Sequence, residues 1–97
     1  MNSLLAATQG VDVVIPTLNS DGLALQSNLV KASKQNGVKR FVPSEFGPDL
    51  YKSDSAIMAT KIPFRKELES SGLEWTYVNT GFWYDTTFRW WNGIDVV

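Results

Sequence analysis

Apolar residues fall into two patterns along this chain, short consecutive runs and helical spacing, and the two patterns take turns. Ser3 to Thr8 reads as the end of a helix, with Gly10 as its stop. In Val11 to Pro16 (VDVVIP) the β-branched Val13, Val14 and Ile15 are consecutive, which predicts a strand buried on both faces, as in a parallel sheet. Pro16 ends it, because proline has no N–H for the ladder. Thr17 to Gly22 is a loop of turn formers, in which Ser20 or Asp21 can cap the helix that follows. In that helix Leu25, Leu29 and Ala32 recur at i, i+4 and i+7 with Val30 beside them, while Gln26, Lys31, Lys34 and Gln35 take the other face. Asn36-Gly37 closes it.

A second short strand is predicted at Val38 to Val42 (VKRFV), followed by a loop from Pro43 to Asp49. Leu50 to Ala59 carries no decisive pattern. Proline is tolerated only in a first helical turn, so Pro63 predicts a helix that starts near Thr60–Lys61 and runs to Ser71, with Gly72 as its stop. Phe64 and Leu68 stack at i, i+4, and Arg65 with Glu69 are expected to form an exposed pair at the same spacing. Leu73 to Asn79 (LEWTYVN) reads as a third strand. Gly81 to Val97 is rich in aromatic residues and has no clear period.

Strand, helix, strand, helix, strand with short connections implies an α/β fold: a partial Rossmann-like, doubly wound parallel sheet of about three strands with flanking helices. Such sheets bind ligands beyond the carboxyl ends of their strands. The loops Pro16–Asp21, Pro43–Asp49 and Asn79–Trp83 are therefore where a site is expected.

Composition narrows the chemistry. The 97 residues form one domain at most, and a chain of this size buries only about 60–65% of its unfolded surface, so its own core is marginal. There is no cysteine and no histidine, which excludes disulfides, thiolate nucleophiles, a Ser-His-Asp triad and the commonest metal ligands. Asp12, Asp49, Asp54, Asp85 and Asp95 show no metal-ligand spacing, and no metal is expected. A formal net charge of −1 gives no footprint for nucleic acid. No basic run suggests a membrane surface, and no apolar stretch approaches the ~20 residues of a membrane helix. Met1 to Ala7 lacks the basic start of a signal peptide, so a cytoplasmic location is expected.

The loops carry a resemblance. VDVVIPTLNSDGLALQ, GVKRFVPSEFGPD and ATKIPFRKELESSGLEWTYVNTGFW together resemble the NmrA-like and isoflavone-reductase-like family, atypical members of the short-chain dehydrogenase/reductase superfamily. The most specific elements are Val38 to Gly47 (VKRFVPSEFG) and Lys61 placed before Gly72 and Trp75-Thr76-Tyr77-Val78. The likeness covers nearly all of residues 4 to 84. It implies an NAD(P)-binding domain, with NADP or NAD as cofactor. Family members hold the cofactor's pyrophosphate on a G-x-x-G-x-x-G turn and a helix N-terminus. None of this chain's seven glycines lies in that arrangement. Residues 1–97 are accordingly expected to correspond to the second half of a Rossmann sheet plus an aromatic tail, a fragment without the glycine-rich motif and without a C-terminal substrate domain.

By the same resemblance Lys61 matches the family's catalytic lysine, which acts beside the nicotinamide as general acid/base or hydrogen-bond donor; burial suits a lysine to this by lowering its pKa. From its sequence position alone it is a solvated charge at a helix start. The superfamily's Tyr-x-x-x-Lys pair is missing, since Ser55 stands four residues after Tyr51. Thr17 and Leu18 match positions lining the cofactor's ribose and phosphates, or else belong to an ordinary strand-end loop. Pro16 replaces a commonly small residue there, and Asn19 stands where glycine is frequent. Pro43, Ser44, Glu45 and Phe46 match the loop flanking the nicotinamide, with Glu45 either a polar contact or a structural cap and Phe46 packing. Thr80, Gly81 and Phe82 match the backbone that passes the ring, where a close approach favours glycine. Trp83, Tyr84, Phe88, Trp90 and Trp91 either form a pocket for an aromatic substrate or are packing residues left exposed, in which case they promote self-association.

Three functional readings follow. The first is an NAD(P)H-dependent oxidoreductase acting on a small, aromatic or conjugated substrate through Lys61. The second is a non-catalytic NAD(P)-sensing regulator that reports through a partner protein. The third is a truncated product with no independent activity, expected to bind NADPH very weakly or not at all.

Overall fold

The computed structural model describes residues 1–47 and 56–81, the side chains of Ser20 and of residues 56–60 excepted. Helix α1 (Asn2–Thr8) ends where the Thr8 hydroxyl donates back to the Leu4 carbonyl at 2.8 Å. Gly10, at φ +71°, then turns the chain into strand β1 (Val13–Val14). A 3-10 helix (Ser20–Leu25) runs directly into α2 (Gln26–Gln35), followed by β2 (Arg40–Phe41), α3 (Ala56–Glu69) and β3 (Glu74–Trp75). The three strands are parallel in the order β1-β2-β3, with Val13, Arg40 and Glu74 in one register row and Val14, Phe41 and Trp75 in the next. The expected three-stranded parallel sheet with flanking helices is what forms. Ladder bonds run beyond the short strands, from Lys39 N to Asp12 O, Val42 N to Val14 O and Thr76 N to Phe41 O.

The helices make one layer. Asn36 of the α2 C-cap donates from Nδ2 to Leu5 O at 2.7 Å and to Thr8 Oγ1 at 2.8 Å, tying α2 to α1. The Ser27 hydroxyl donates to Glu67 Oε2 at 2.6 Å, tying α2 to α3. Between this layer and the sheet lies the core of Val14, Val30, Val38, Phe41, Leu68 and Leu73. Phe41 is fully buried, with the Phe64 ring tilted against it at 6.3 Å between centroids.

The expectation of a first strand buried on both faces is corrected: Val14 is buried, whereas Val13 and Ile15 are 44% and 56% exposed. Successive strand residues point to opposite faces, and right-handed crossovers between strands advancing in one direction put their helices on the same side. On the other face Arg40 reaches across to Glu74 Oε2, the Trp75 carbonyl and Thr76 Oγ1 at 2.8–3.0 Å.

Three local expectations are also corrected. Leu25 is exposed and Gln26 buried, so the inner face of α2 is Gln26, Val30 and Ser33 with Ala32. The preceding turn is 3-10, with three residues per turn, and that shifts Leu25 out of phase with Leu29. The cap of this turn is Asn19 rather than Ser20 or Asp21: its Oδ1 accepts from Gly22 N at 3.1 Å. Finally, α3 starts at Ala56, so Pro63 lies inside it and not in its first turn. Its ring faces solvent, and the Phe64, Arg65 and Leu68 side chains pack inward around it. An interior proline deletes one helix hydrogen bond and crowds the carbonyl four residues back, a cost of about 3 kcal/mol. Pro63→Ala is therefore expected to stabilise the chain by roughly 1–3 kcal/mol, read as a rise in the urea midpoint; an unchanged or lower midpoint would contradict it.

Candidate functional site

The loops at the carboxyl ends of the three strands are bonded into one surface. After β1, Leu18 N donates to Ser44 Oγ at 3.1 Å and Leu18 O accepts from the same hydroxyl at 2.9 Å. Ser44 N donates to the buried Oε1 of Gln26 at 2.8 Å, so the first turn of α2 also holds this loop. After β2, Phe46 N donates to Val78 O at 3.2 Å and Gly81 N to Gly47 O at 3.1 Å, which joins the second loop to the third. Phe46 takes φ +42°, a left-handed conformation rare for a residue with a side chain, and strain of about 1 kcal/mol or more at such a position persists only where neighbours dictate the path.

At the centre sits a buried ion pair. Arg65 of α3 donates from Nε to Glu45 Oε1 at 3.1 Å and from a terminal nitrogen to Oε2, and the two side chains are only 6% and 4% exposed. The guanidinium also stacks 3.9 Å from the Tyr77 ring centre. Tyr77 in turn donates its hydroxyl to Glu69 Oε1 at 2.8 Å. Burial first, and then the Glu69 contact, push the Tyr77 phenol well above its usual range. The expected exposed Arg65–Glu69 pair is thus corrected: each has a different partner, because Arg65 lies on the inner side of α3 within reach of a carboxylate that would otherwise be buried alone.

Lys61, one helical turn before Arg65, donates from Nζ to the Glu45 carbonyl at 3.0 Å. Burial pushes its ammonium below the ordinary lysine value, and the Glu45 carboxylate offsets part of that shift. Lys61 also lines a shallow groove of about 490 Å³ between the 3-10 turn, α2 and α3, together with Leu23, Ala24, Gln26, Ser27 and Pro63.

The structure therefore brings together Leu18, Ser44, Glu45, Phe46, Gly81 and Lys61 through direct bonds. Pro43 is fully buried beneath them, while Thr17 and Thr80 are exposed on the rim. The Glu45 carboxylate is engaged by Arg65, so what this residue presents to Lys61 is its main chain. Phe82 and the aromatic residues Trp83, Tyr84, Phe88, Trp90 and Trp91 lie outside the described residues. Sequence reasoning missed Arg65, Gln26 and the groove. Arg65 had a readable signal, its i, i+4 spacing from Lys61; a glutamine in a first helical turn gives none. Among the described residues no group of His, Cys, Asp and Glu could hold a metal ion, and no helix is long and apolar enough to cross a membrane.

The family model for the NmrA-like family matches residues 1–90. The chain belongs to the NmrA-like family. The chain is 43% identical over 86 residues to an isoflavone reductase homologue of Zea mays, covering 82% of this chain and 28% of that protein. It is 39% identical over 84 residues to a phenylcoumaran benzylic ether reductase of Ginkgo biloba, covering 80% and 28%. Among solved structures, leucoanthocyanidin reductase from Vitis vinifera in its binary complex with NADPH superposes with a TM-score of 0.74 at 31% identity, covering 80% of this chain and 30% of that one. The chain thus spans less than a third of the length of these relatives.

Two outcomes follow from the geometry. Ser44→Ala removes the hydroxyl that serves both the N–H and the carbonyl of Leu18, and is expected to cost about 1–3 kcal/mol in urea denaturation while speeding amide exchange at Leu18; unchanged exchange there would contradict the bond. For Lys61, the folded chain holds the proton less tightly than the unfolded chain, so its contribution makes stability rise with pH between its lowered value and 10.5. Lys61→Met is expected to flatten that rise in urea midpoints stepped up to about pH 10, the opposing contribution of tyrosines that titrate near 10 in the unfolded chain being common to both proteins; an unaltered slope would contradict it.

Proposed function

We propose that this chain supplies the nicotinamide-side wall of an NADPH-dependent reductase site, as the second half of an NAD(P)-binding Rossmann domain, acting on a small aromatic substrate with Lys61 handling the proton. The observation that carries the reading is the position of Lys61: its Nζ rests on the Glu45 carbonyl where the three strand-end loops meet. The leucoanthocyanidin reductase–NADPH complex and the reductases among the curated relatives support it.

The donor set fits the uncharged end of a dinucleotide. Thr17 and Thr80 offer exposed hydroxyls on the rim, the backbone from Pro43 to Phe46 forms the floor, and Gly81, followed by Phe82, allows close approach from the third loop. Among the described residues the phosphates find no matching cradle. Backbone N–H groups of Leu18, Gly22, Ser44, Glu45, Phe46 and Gly81 already donate within the chain, and a phosphate nest needs several converging N–H groups left for the ligand.

When bound, the cofactor supplies a hydride. Lys61 supplies the accompanying proton: burial makes its ammonium a stronger acid than an ordinary lysine, which favours giving that proton to a developing oxygen anion, and the Glu45 carbonyl holds Nζ in place without competing for the proton as a carboxylate would.

The test is shift mapping by NMR with NADPH and, separately, with nicotinamide mononucleotide. Both are expected to perturb Thr17, Leu18, Phe46, Lys61 and Gly81, with similar affinities weaker than about 1 mM, because only the nicotinamide end is gripped. Perturbations confined to α1 or to the exposed sheet face would sink the reading. At millimolar NADPH, Lys61→Ala is expected to lower substrate-dependent NADPH oxidation by roughly 10²–10⁴-fold; equal rates would remove the lysine from the mechanism.

A further inference from the structure

Two cationic residues one turn apart on α3 hold the same loop residue by different groups. Arg65 takes both carboxylate oxygens of Glu45, and Lys61 takes its carbonyl. The guanidinium is pinned on its face by the Tyr77 ring at 3.9 Å, so the clamp spans helix, loop and the third strand's extension. A carbonyl cannot choose its own direction. It is set by the peptide planes on either side, and here the next residue, Phe46, is in the left-handed region. Nothing in the intrinsic preference of a phenylalanine favours that bend. It is kept by the grip on Glu45 before it and by the Phe46 N to Val78 O bond that follows from it.

We infer that Arg65 is a positioning residue for Lys61: by clamping the Glu45 carboxylate it fixes the carbonyl on which Lys61 Nζ rests. The inference rests on the reading of Lys61 as the proton-handling group, and it adds a residue remote from the substrate to that site. The planar fork is essential to it, since a point charge in place of the guanidinium leaves the carboxylate free to rotate and the peptide free to follow. Among the described residues, the charged groups around Lys61 are Glu45 from the loop and Arg65 and Glu67 on its own helix; α2 presents the neutral Gln26 and Ser27.

The test uses the chain without cofactor, so it stands apart from any result on turnover. Lys61 is followed by NMR titration of its side chain, and the loop by amide exchange at Phe46. Arg65→Lys retains the charge pair, and is expected to fold, to exchange about tenfold faster at Phe46, and to shift the Lys61 midpoint upward toward 10.5 as Nζ is released to water. Should the Arg65→Lys chain fail to fold, Glu45→Gln with Arg65→Met leaves no lone buried charge and is read by Phe46 exchange alone, expected about tenfold faster, because losing the Glu45 carboxylate also removes the attraction that raises the Lys61 midpoint. Leu73→Ala, a core truncation away from the clamp, controls for general loosening and is expected to leave the Lys61 midpoint in place. The inference is overturned if the folded Arg65 variant keeps both the wild-type Phe46 exchange and the wild-type Lys61 midpoint, or if Leu73→Ala moves that midpoint equally. Loss of the Lys61→Ala effect on turnover, with the clamp results as expected, would instead remove the catalytic reading and leave the clamp.

Discussion

The buried pair of Arg65 and Glu45 is the constraint on which the site depends. Neither group tolerates burial alone, and removing one partner of such a pair typically costs about 3–5 kcal/mol. Water is nearly excluded from both side chains, so each must find its hydrogen bonds inside the protein. The bidentate contact satisfies the carboxylate, and the Tyr77 ring covers the guanidinium face. That requirement ties α3 to the loop after β2 and to the segment after β3. The loop's left-handed bend and the lysine's resting place come with it.

A second polar centre does the same for the other side of the site. Ser44 gives its backbone N–H to Gln26 and its hydroxyl to Leu18, so one small buried residue joins β1's loop, β2's loop and α2. An apolar residue there could pack but could not stop the two loops from sliding. A fully satisfied buried network fixes relative position where dispersion alone would only hold things close. The apolar core, centred on Phe41, lies beneath and brings the strands together; the two polar centres decide how their ends are arranged.

Much of this fold was legible because it depends on local pattern. Valine-rich runs and glycine stops marked the strands and helix ends, and the position of Lys61 relative to Gly72 carried the family resemblance. What was not legible depends on partners distant in sequence. Val13 and Ile15 look as buried as Val14, and only the placement of the helices leaves them exposed. Leu25 looks like a core residue until a 3-10 turn changes its phase. Arg65 and Glu69 have the spacing of a surface pair, yet Glu45, 20 residues earlier, makes the first a buried residue. Pro63 marks a helix start by its chemistry and is overruled by the packing of the residues that follow it.

Four bonds of the site join residues 16 to 26 positions apart, Lys61 with Glu45, Glu45 with Arg65, Ser44 with Gln26 and with Leu18, and Phe46 with Val78 and Gly81 with Gly47 lie farther apart still. Each closes a loop whose entropy must be surrendered before the bond forms, whereas the helix turns beneath them close over three or four residues. The sheet's own ladder bonds, such as Lys39 N to Asp12 O and Thr76 N to Phe41 O, close loops at least as long. By loop entropy, sheet and site therefore assemble together, after the helix turns. One cooperative step makes both, so the geometry offered to a ligand is only as durable as the sheet it stands on.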